Sequence, residues 1–308
     1  MRPDLLSNNA QPANGEALSK DQESLLVQGF FHKPTSSVSY VVAAPQAQRC
    51  FVIDPVRDFD AVSGKLGRQL IDEIITFIRQ RGLTLEAILE THVHADHLSG
   101  AAVLRDELGG WIGIGNGVKD VLSHFANLYE KNPEMTEQPE TFDRLLYDGE
   151  SIGAFPLTAK IISTPGHTPA CISYLIGDNL FVGDTLFMPD GGTARCDFPG
   201  GSAEQLYHSI QRIFSLPAET KIFVCHDYCP NGRDIVWETT VGDERSRNIH
   251  IKAGTTKEAF VALRTARDKT LTLPNLMLLA LQVNLEAGRL PNPNTQGIRH
   301  LKLPLDCF

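Results

Sequence analysis

Thr91-His92-Val93-His94-Ala95-Asp96-His97 is the stretch on which the reading of this chain turns. His92 and His94 stand two residues apart, and alternate residues of an extended segment face the same side, so their imidazoles project together as neighbouring nitrogen ligands. Asp96 and His97 follow where the chain is expected to turn into a helix, which aims a carboxylate and a third imidazole at an adjacent point. Side chains of this kind, clustered so tightly, point to a metal site more than to chance surface polarity.

The surrounding pattern explains how these ligands are delivered. Residues 83–90 read as a buried strand running straight into them, so they stand at a strand's C-terminal end. Residues 38–42 and 50–53 read as short strands, the second closed by Asp54-Pro55. Over 64–81, Leu66, Leu70, Ile71, Ile74, Ile75 and Ile78 fall at helical spacing, and Gly82 stops the helix. A helix over 99–108 ends at Gly109-Gly110 before a strand over 111–114. Strands over 158–163, 172–176, 180–182 and 221–224 follow, with helices over 203–214 and 257–268. Pro133, Pro139, Pro189 and Pro199 punctuate loops. With no internal repeat, this alternation implies two sheets with outer helices.

At 308 residues and 33.9 kDa the chain is long for one domain, yet within reach of a single α/β enzyme unit. Residues 1–24 read as a polar N-terminal extension and 25–308 as one domain with a C-terminal helical extension. No apolar run approaches the roughly 20 residues needed to span a bilayer, so no membrane is expected as a partner. The N-terminus has no apolar block of a signal peptide, and Asp4, Glu16, Asp21 and Glu23 argue against a transit peptide, so the expected location is cytoplasmic. Cys50, Cys171, Cys196, Cys225, Cys229 and Cys307 are scattered and read as reduced thiols. The net charge of -9 disfavours nucleic acid as a partner, while a local basic patch remains free to receive a small anion.

His-x-His-x-Asp-His resembles the signature of the metallo-β-lactamase superfamily. Its later elements recur in order: Ser163-Thr164-Pro165-Gly166-His167-Thr168, then Val182-Gly183-Asp184, then Cys225-His226-Asp227-Tyr228. Taken singly, His167 reads as a structural loop histidine and Asp184 as a turn or cap; the ordered match over 38–248 is far more specific than either. The resemblance implies an α/β fold, the metallo-β-lactamase αββα sandwich of two mixed β-sheets flanked by helices. It further implies His92, His94 and His167 around one metal, Asp96, His97 and His226 around another, and Asp184 between them. Two Zn(II) ions so held lower the pKa of a bridging water and polarise a scissile bond, the chemistry of a glyoxalase II-type thioester hydrolase.

A narrower resemblance is to the persulfide dioxygenases, also called sulfur dioxygenases. It is carried by residues 91–100, Asp184-Thr185-Leu186-Phe187, Gly191-Gly192-Thr193-Ala194-Arg195-Cys196-Asp197-Phe198, Gly200-Gly201-Ser202, His226-Asp227-Tyr228, Val241-Gly242-Asp243-Glu244-Arg245 and Leu301-Lys302-Leu303-Pro304-Leu305. Nearly the whole chain after residue 25 is covered; Cys196 stands where some relatives carry Thr. This resemblance implies one Fe(II) per chain, held by His92, His167 and Asp184, with open positions where a persulfide sulfur and O2 bind side by side. The implied reaction converts glutathione persulfide, O2 and water to sulfite and glutathione.

His94, Asp96, His97 and His226 are then either hydrogen-bonding supports for the ligands or holders of a second metal. Asp227 and Tyr228 are the candidate catalytic groups, with the Tyr228 phenol offered to sulfur or dioxygen; a tyrosine satisfied elsewhere is the competing reading. Glutathione carries two carboxylates, for which Arg195, Arg245 and Arg247 are the candidate partners, against ordinary surface pairing or, for Arg195, a bracing role through Asp197. Cys225 and Cys229 read as packing thiols. A homodimer is the assembly held open. Three rivals stand beside the dioxygenase: the dinuclear zinc hydrolase, which consumes no oxygen, a non-catalytic persulfide or redox sensor switching at Cys171 or Cys196, and, disfavoured by the acidic charge, a nucleic-acid-processing enzyme of the same superfamily.

Overall fold

Side chains of the strand Ser37–Ala44 alternate between two cores, and that alternation sets the layers of the molecule. Val41 and Ala43 face one apolar cluster while Val38, Tyr40 and Val42 face another. The computed structural model describes residues 25–130 and 141–307; the extension expected over 1–24 and the loop prolines Pro133 and Pro139 lie outside the described residues.

Among the described residues the first sheet runs in the order Leu26–His32, Ser37–Ala44, Arg49–Ile53, Thr84–Leu89, Trp111–Gly115, Arg144–Leu146, antiparallel at its start and parallel from Arg49–Ile53 onward. The second runs Ser151–Ala154, Leu157–Ser163, Ile172–Ile176, Asn179–Phe181, Lys221–Phe223, Glu238–Thr240, with one parallel pairing. Both sheets are mixed. Between them lie Tyr40, Phe51, Leu89, Ile161, Tyr174, Phe181 and Phe223. Outside the first sheet, Ile71, Ile74 and Ile78 of helix Gln69–Gln80 pack with residues of helices Ala101–Leu108 and Val118–Ala126. Outside the second, helix Ala203–Phe214 contributes Leu206, Ile210 and Ile213, and helix Lys257–Asp268 contributes Phe260. The order of layers is helix, sheet, sheet, helix, as expected. Each fully buried large apolar side chain stabilises it by about 1.5–3 kcal/mol.

Several boundaries depart from expectation for local reasons. The helix expected over 64–81 begins at Gln69, because Lys65–Leu66 pairs with Phe59–Asp60 and Leu66 packs in a separate small cluster under Leu98, Ala280 and Val283. The helix expected from 99 begins at Ala101, since Leu98–Ser99 pairs with Val56–Arg57. Strand Leu26–His32 is not expected from the sequence, because Gly29 interrupts its pattern. That glycine lets Trp237 approach: a Cβ there would meet the indole at 2.9 Å.

Residues 91–97 are the important correction, for they form an irregular loop and Asp96 and His97 do not enter a helix. An irregular buried loop leaves backbone groups to be satisfied from elsewhere. Asn284, at the end of helix Met277–Asn284, does this: its Nδ2 donates to the carbonyls of His94 (2.8 Å) and His97 (2.7 Å), and its Oδ1 accepts the Ser99 amide at 2.8 Å.

Asn284→Ala should therefore orphan three buried backbone groups at once. The expected cost is about 2–4 kcal/mol of unfolding free energy, measured by chemical denaturation; a loss within a few tenths of a kcal/mol would mean that this side chain does not hold the loop.

Candidate metal centre

The site grows from strand ends. Asp54 follows strand Arg49–Ile53, and its buried carboxylate accepts the Thr91 amide (2.7 Å), the Thr91 hydroxyl (2.8 Å) and His94 Nε2 (3.0 Å). Because the Thr91 hydroxyl proton goes to Asp54, its oxygen accepts from His92 Nδ1 at 3.0 Å, which leaves His92 Nε2 with a free lone pair. Burial, then His94 and His167 beside it, hold this imidazole well below its ordinary pKa, hence neutral. His167 is oriented in the same way. Its Nδ1 donates to the Arg195 carbonyl at 2.8 Å, freeing Nε2.

Two glycines permit the approach. Gly166 has φ 148° and lies where a Cβ would come within 2.4 Å of the Leu206 Cα, so the Thr-Pro-Gly-His-Thr loop sits directly on helix Ala203–Phe214. Gly183 has φ 51°, and a Cβ there would meet Thr91 Oγ1 at 2.4 Å. That contact brings the chain of Asp184 against the loop carrying His92.

His92, His167 and Asp184 come together as one buried set of three donor atoms, all within 4.8 Å of one another. The His92 and His167 rings are 5.1 Å apart, and Asp184 Oδ2 lies 3.8 Å from His167 Nε2. A second set consists of His94, Asp96, His97 and His226. His94 groups with this second set, rather than with His92 and His167 as the dinuclear assignment supposed. Its Nε2 is held by Asp54 and, at 3.3 Å, by Glu90, which leaves Nδ1 as the nitrogen it can offer to a metal. Burial opposes charging of His94, but these two carboxylates outweigh it and hold its pKa well above the ordinary value.

The sets meet at Asp184, whose Oδ1 is 3.3 Å from His226 Nε2. His226 is itself fixed where the two sheets join, the Val38 amide donating to the Cys225 carbonyl (2.8 Å) and the Asp227 amide to Ser36 (3.0 Å). Asp184 Oδ1, His94 Nδ1, His97 Nε2 and both His226 nitrogens are buried without a hydrogen-bond partner among the described residues. Buried polar atoms this poorly satisfied, converging from separate loops, fit a metal-binding site. Two imidazoles and one carboxylate suit a redox metal with open positions; the nitrogen-rich second set suits zinc. Cys225 was read as a packing thiol, yet its sulfur joins Asp184 and His226 in a further compact group.

A cavity of about 620 Å³ opens over Asp96, His167 and Asp184 and is walled by Phe187, Phe198 and Tyr228. Tyr228 stacks on His226 (5.6 Å, 9°) while remaining 56% exposed, so its phenol faces the cavity. Asp227 does not join the cluster: Arg233 grips both its oxygens at 2.6 and 2.8 Å, and the Val236 amide adds a third bond. It braces the loop after His226. Arg195 lines the cavity, but its guanidinium is engaged by Asp197 (2.6 and 2.8 Å) and the Thr272 carbonyl (2.6 Å). Arg245 and Arg247 are exposed on helix Val241–Arg247 away from the cavity wall, and Arg247 pairs with Asp243 at 3.0 Å. Arg264 and Arg267, which do line the cavity, carried no sequence signal beyond the Arg264/Asp268 helical spacing. Cys171 and Cys196 are buried, and burial pushes both thiols up, leaving little reactive thiolate.

A buried polar chain supports the loop over 191–197. Asn248 donates to the Gly192 carbonyl (3.1 Å) and to Glu244 (2.7 Å), while Arg264 donates to the Thr193 carbonyl (2.9 Å). The Thr193 amide donates to His250 Nδ1 at 2.9 Å, and burial, aided by Arg264 and Arg267, presses that imidazole down to about 4, so it stays a neutral acceptor. Burial pushes the Glu244 carboxyl the other way, up to about 8.

The sequence profile described as "Metallo-beta-lactamase superfamily" matches residues 32–226. The chain is 46% identical to a probable metallo-hydrolase of Burkholderia pseudomallei, over 92% of this chain and all of that one. It is 48% identical to a beta-lactamase hydrolase-like protein of Xylella fastidiosa, again over 92% of this chain but spanning only 65% of that protein's length. A mitochondrial persulfide dioxygenase, ETHE1 of Bos taurus, is 30% identical over 86% of this chain and 89% of its own. Among solved structures, ETHE1 from Myxococcus xanthus superposes with a TM-score of 0.69 at 27% identity, covering 86% of this chain and all of that one.

Glu244 offers a pH test of the polar chain. The unfolded carboxyl ionises near 4.5 while the folded one keeps its proton to about 8, so its contribution to stability is present below 4.5 and is lost as pH rises to about 8. Glu244→Gln should flatten the fall of Tm across that window and raise Tm at pH 8; a variant with a lower Tm at pH 8 than the parent contradicts the protonated reading.

Proposed function

The chain belongs to the metallo-beta-lactamase superfamily, and from that membership we propose that it is a mononuclear non-haem iron persulfide dioxygenase acting on glutathione persulfide. The reaction is glutathione persulfide plus O2 and water giving glutathione, sulfite and two protons. One observation carries the reading: His92, His167 and Asp184 form a compact two-histidine, one-carboxylate set beneath the cavity, and His94 groups apart from it with Asp96, His97 and His226. Fe(II) held by the three would supply a redox-active Lewis acid with free positions for a sulfur anion and dioxygen. Similarity to the persulfide dioxygenase ETHE1 of Bos taurus and to ETHE1 from Myxococcus xanthus supports the same choice.

The protein's own groups prepare that chemistry. Thr91 and the Arg195 carbonyl lock the two imidazoles in the tautomers that present Nε2, so no proton must be shed at these nitrogens on loading. Phe187 and Phe198 give the cavity apolar walls that limit water around a reactive sulfur. Tyr228, stacked on His226 and edge-on to Phe187, offers a phenol hydrogen bond to the substrate from the rim.

A dinuclear zinc hydrolase is the second reading. It is favoured by the unpartnered nitrogens of His94, His97 and His226 and by the metallo-hydrolase name of the Burkholderia relative.

The two separate in one set of measurements on anaerobically purified, metal-quantified protein: oxygen uptake with glutathione persulfide, beside hydrolysis of lactoylglutathione. One iron per chain with oxygen uptake is expected, and Asp184→Ala should abolish both. Two zinc ions with thioester hydrolysis and no oxygen uptake would replace the dioxygenase with the hydrolase.

A further inference from the structure

Among the described residues three arginines line the cavity, and two of them are spent. Arg195 is held by Asp197 and the Thr272 carbonyl. Arg264, 1% exposed, is paired with Asp268 (2.7 Å) and donates to the Thr193 carbonyl. Each of these cations is matched by its own carboxylate, so together they add almost no net charge to the cavity. Arg267 differs. It lies in the last turn of helix Lys257–Asp268, three residues beyond Arg264, is exposed at the cavity wall, and has no ion-pair partner among the described residues. Its neighbours in the wall are the segment over 271–276, whose Thr272 carbonyl is gripped by Arg195; the Arg195 carbonyl in turn orients His167. The free guanidinium thus shares one cavity with His167 and Asp184 of the donor set.

The geometry points to Arg267 as the specificity-determining residue that receives a terminal carboxylate of a peptide-thiol substrate, an assignment that rests on the glutathione persulfide reading above. A carboxylate entering this cavity finds Arg195 and Arg264 already neutralised, and their release would leave Asp197 and the buried Asp268 uncompensated. Arg267 can close its planar fork on the ligand at no such cost, losing only solvent and side-chain freedom. A carboxylate-bearing substrate is therefore preferred over a neutral persulfide of similar size, and the preference appears in binding rather than in the chemical step.

The test uses the full chain and S-methylglutathione, a thioether that lacks the reactive sulfur, with the dimethyl ester of the same compound, in which both carboxylates are blocked. By isothermal titration calorimetry, Arg267→Ala should weaken S-methylglutathione about tenfold and leave the diester unchanged, with Arg267→Lys between. In turnover with glutathione persulfide, KM should rise with kcat and iron content retained. Equal affinity of parent and variant for S-methylglutathione, equal weakening of both probes, or no binding by the parent overturns the assignment. If the parent takes up no oxygen yet the charge-dependent loss of binding is found, the reaction assignment falls and the anchor stands.

Discussion

Burying a carboxylate is costly unless every oxygen is paired, and Asp54 meets that demand with groups drawn from both halves of the molecule. Its oxygens take the Thr91 amide, the Thr91 hydroxyl and His94 Nε2, with the Cys225 thiol of the second sheet's side at 3.7 Å. The strand end of the first sheet, the ligand loop and the segment before His226 are thereby tied to one charge. Loosening any of them leaves that charge undercompensated, so the loop over 91–97 holds its shape without regular secondary structure.

From this anchor the rest of the centre follows by contact. Thr91, once it has given its proton to Asp54, dictates the tautomer of His92 and presses against Gly183, which sets the position of Asp184. His94 is drawn by the same carboxylate, reinforced by Glu90, into company with Asp96, His97 and His226. A single polar hub thus sorts seven potential ligands into a set of three and a set of four. The sorting is a matter of which nitrogen each imidazole has left to offer, and this depends on partners far away in sequence.

The cavity obeys a similar economy. The loop over 191–197 is held from behind by Asn248, His250, Arg264 and Asp268, and it presents a backbone carbonyl to His167 while its own Arg195 is used to grip the segment over 271–276. Arg195, a guanidinium that sequence alone offers to a ligand, is here consumed in building the wall. What remains for an anion is an arginine from a helix outside the ligand motifs.

Read as a string, the chain already determines the paired sheets, through apolar periodicity in 38–42, 83–90 and 172–176, and all seven metal-ligand candidates, through motifs whose side-chain types have few other reasons to cluster. Those signals are local, and local chemistry is enough to read them. The partition of the ligands, the bracing role of Asp227, the removal of Arg245 and Arg247 from the cavity, and the parts played by Asp54, Glu90, Asn284 and Arg267 were decided only in three dimensions. Each depends on a hydrogen bond, an ion pair or its absence between residues many positions apart, such as Asn284 on His94. No spacing rule encodes such a pairing, because what selects it is the need to satisfy buried polar groups once the sheets have packed.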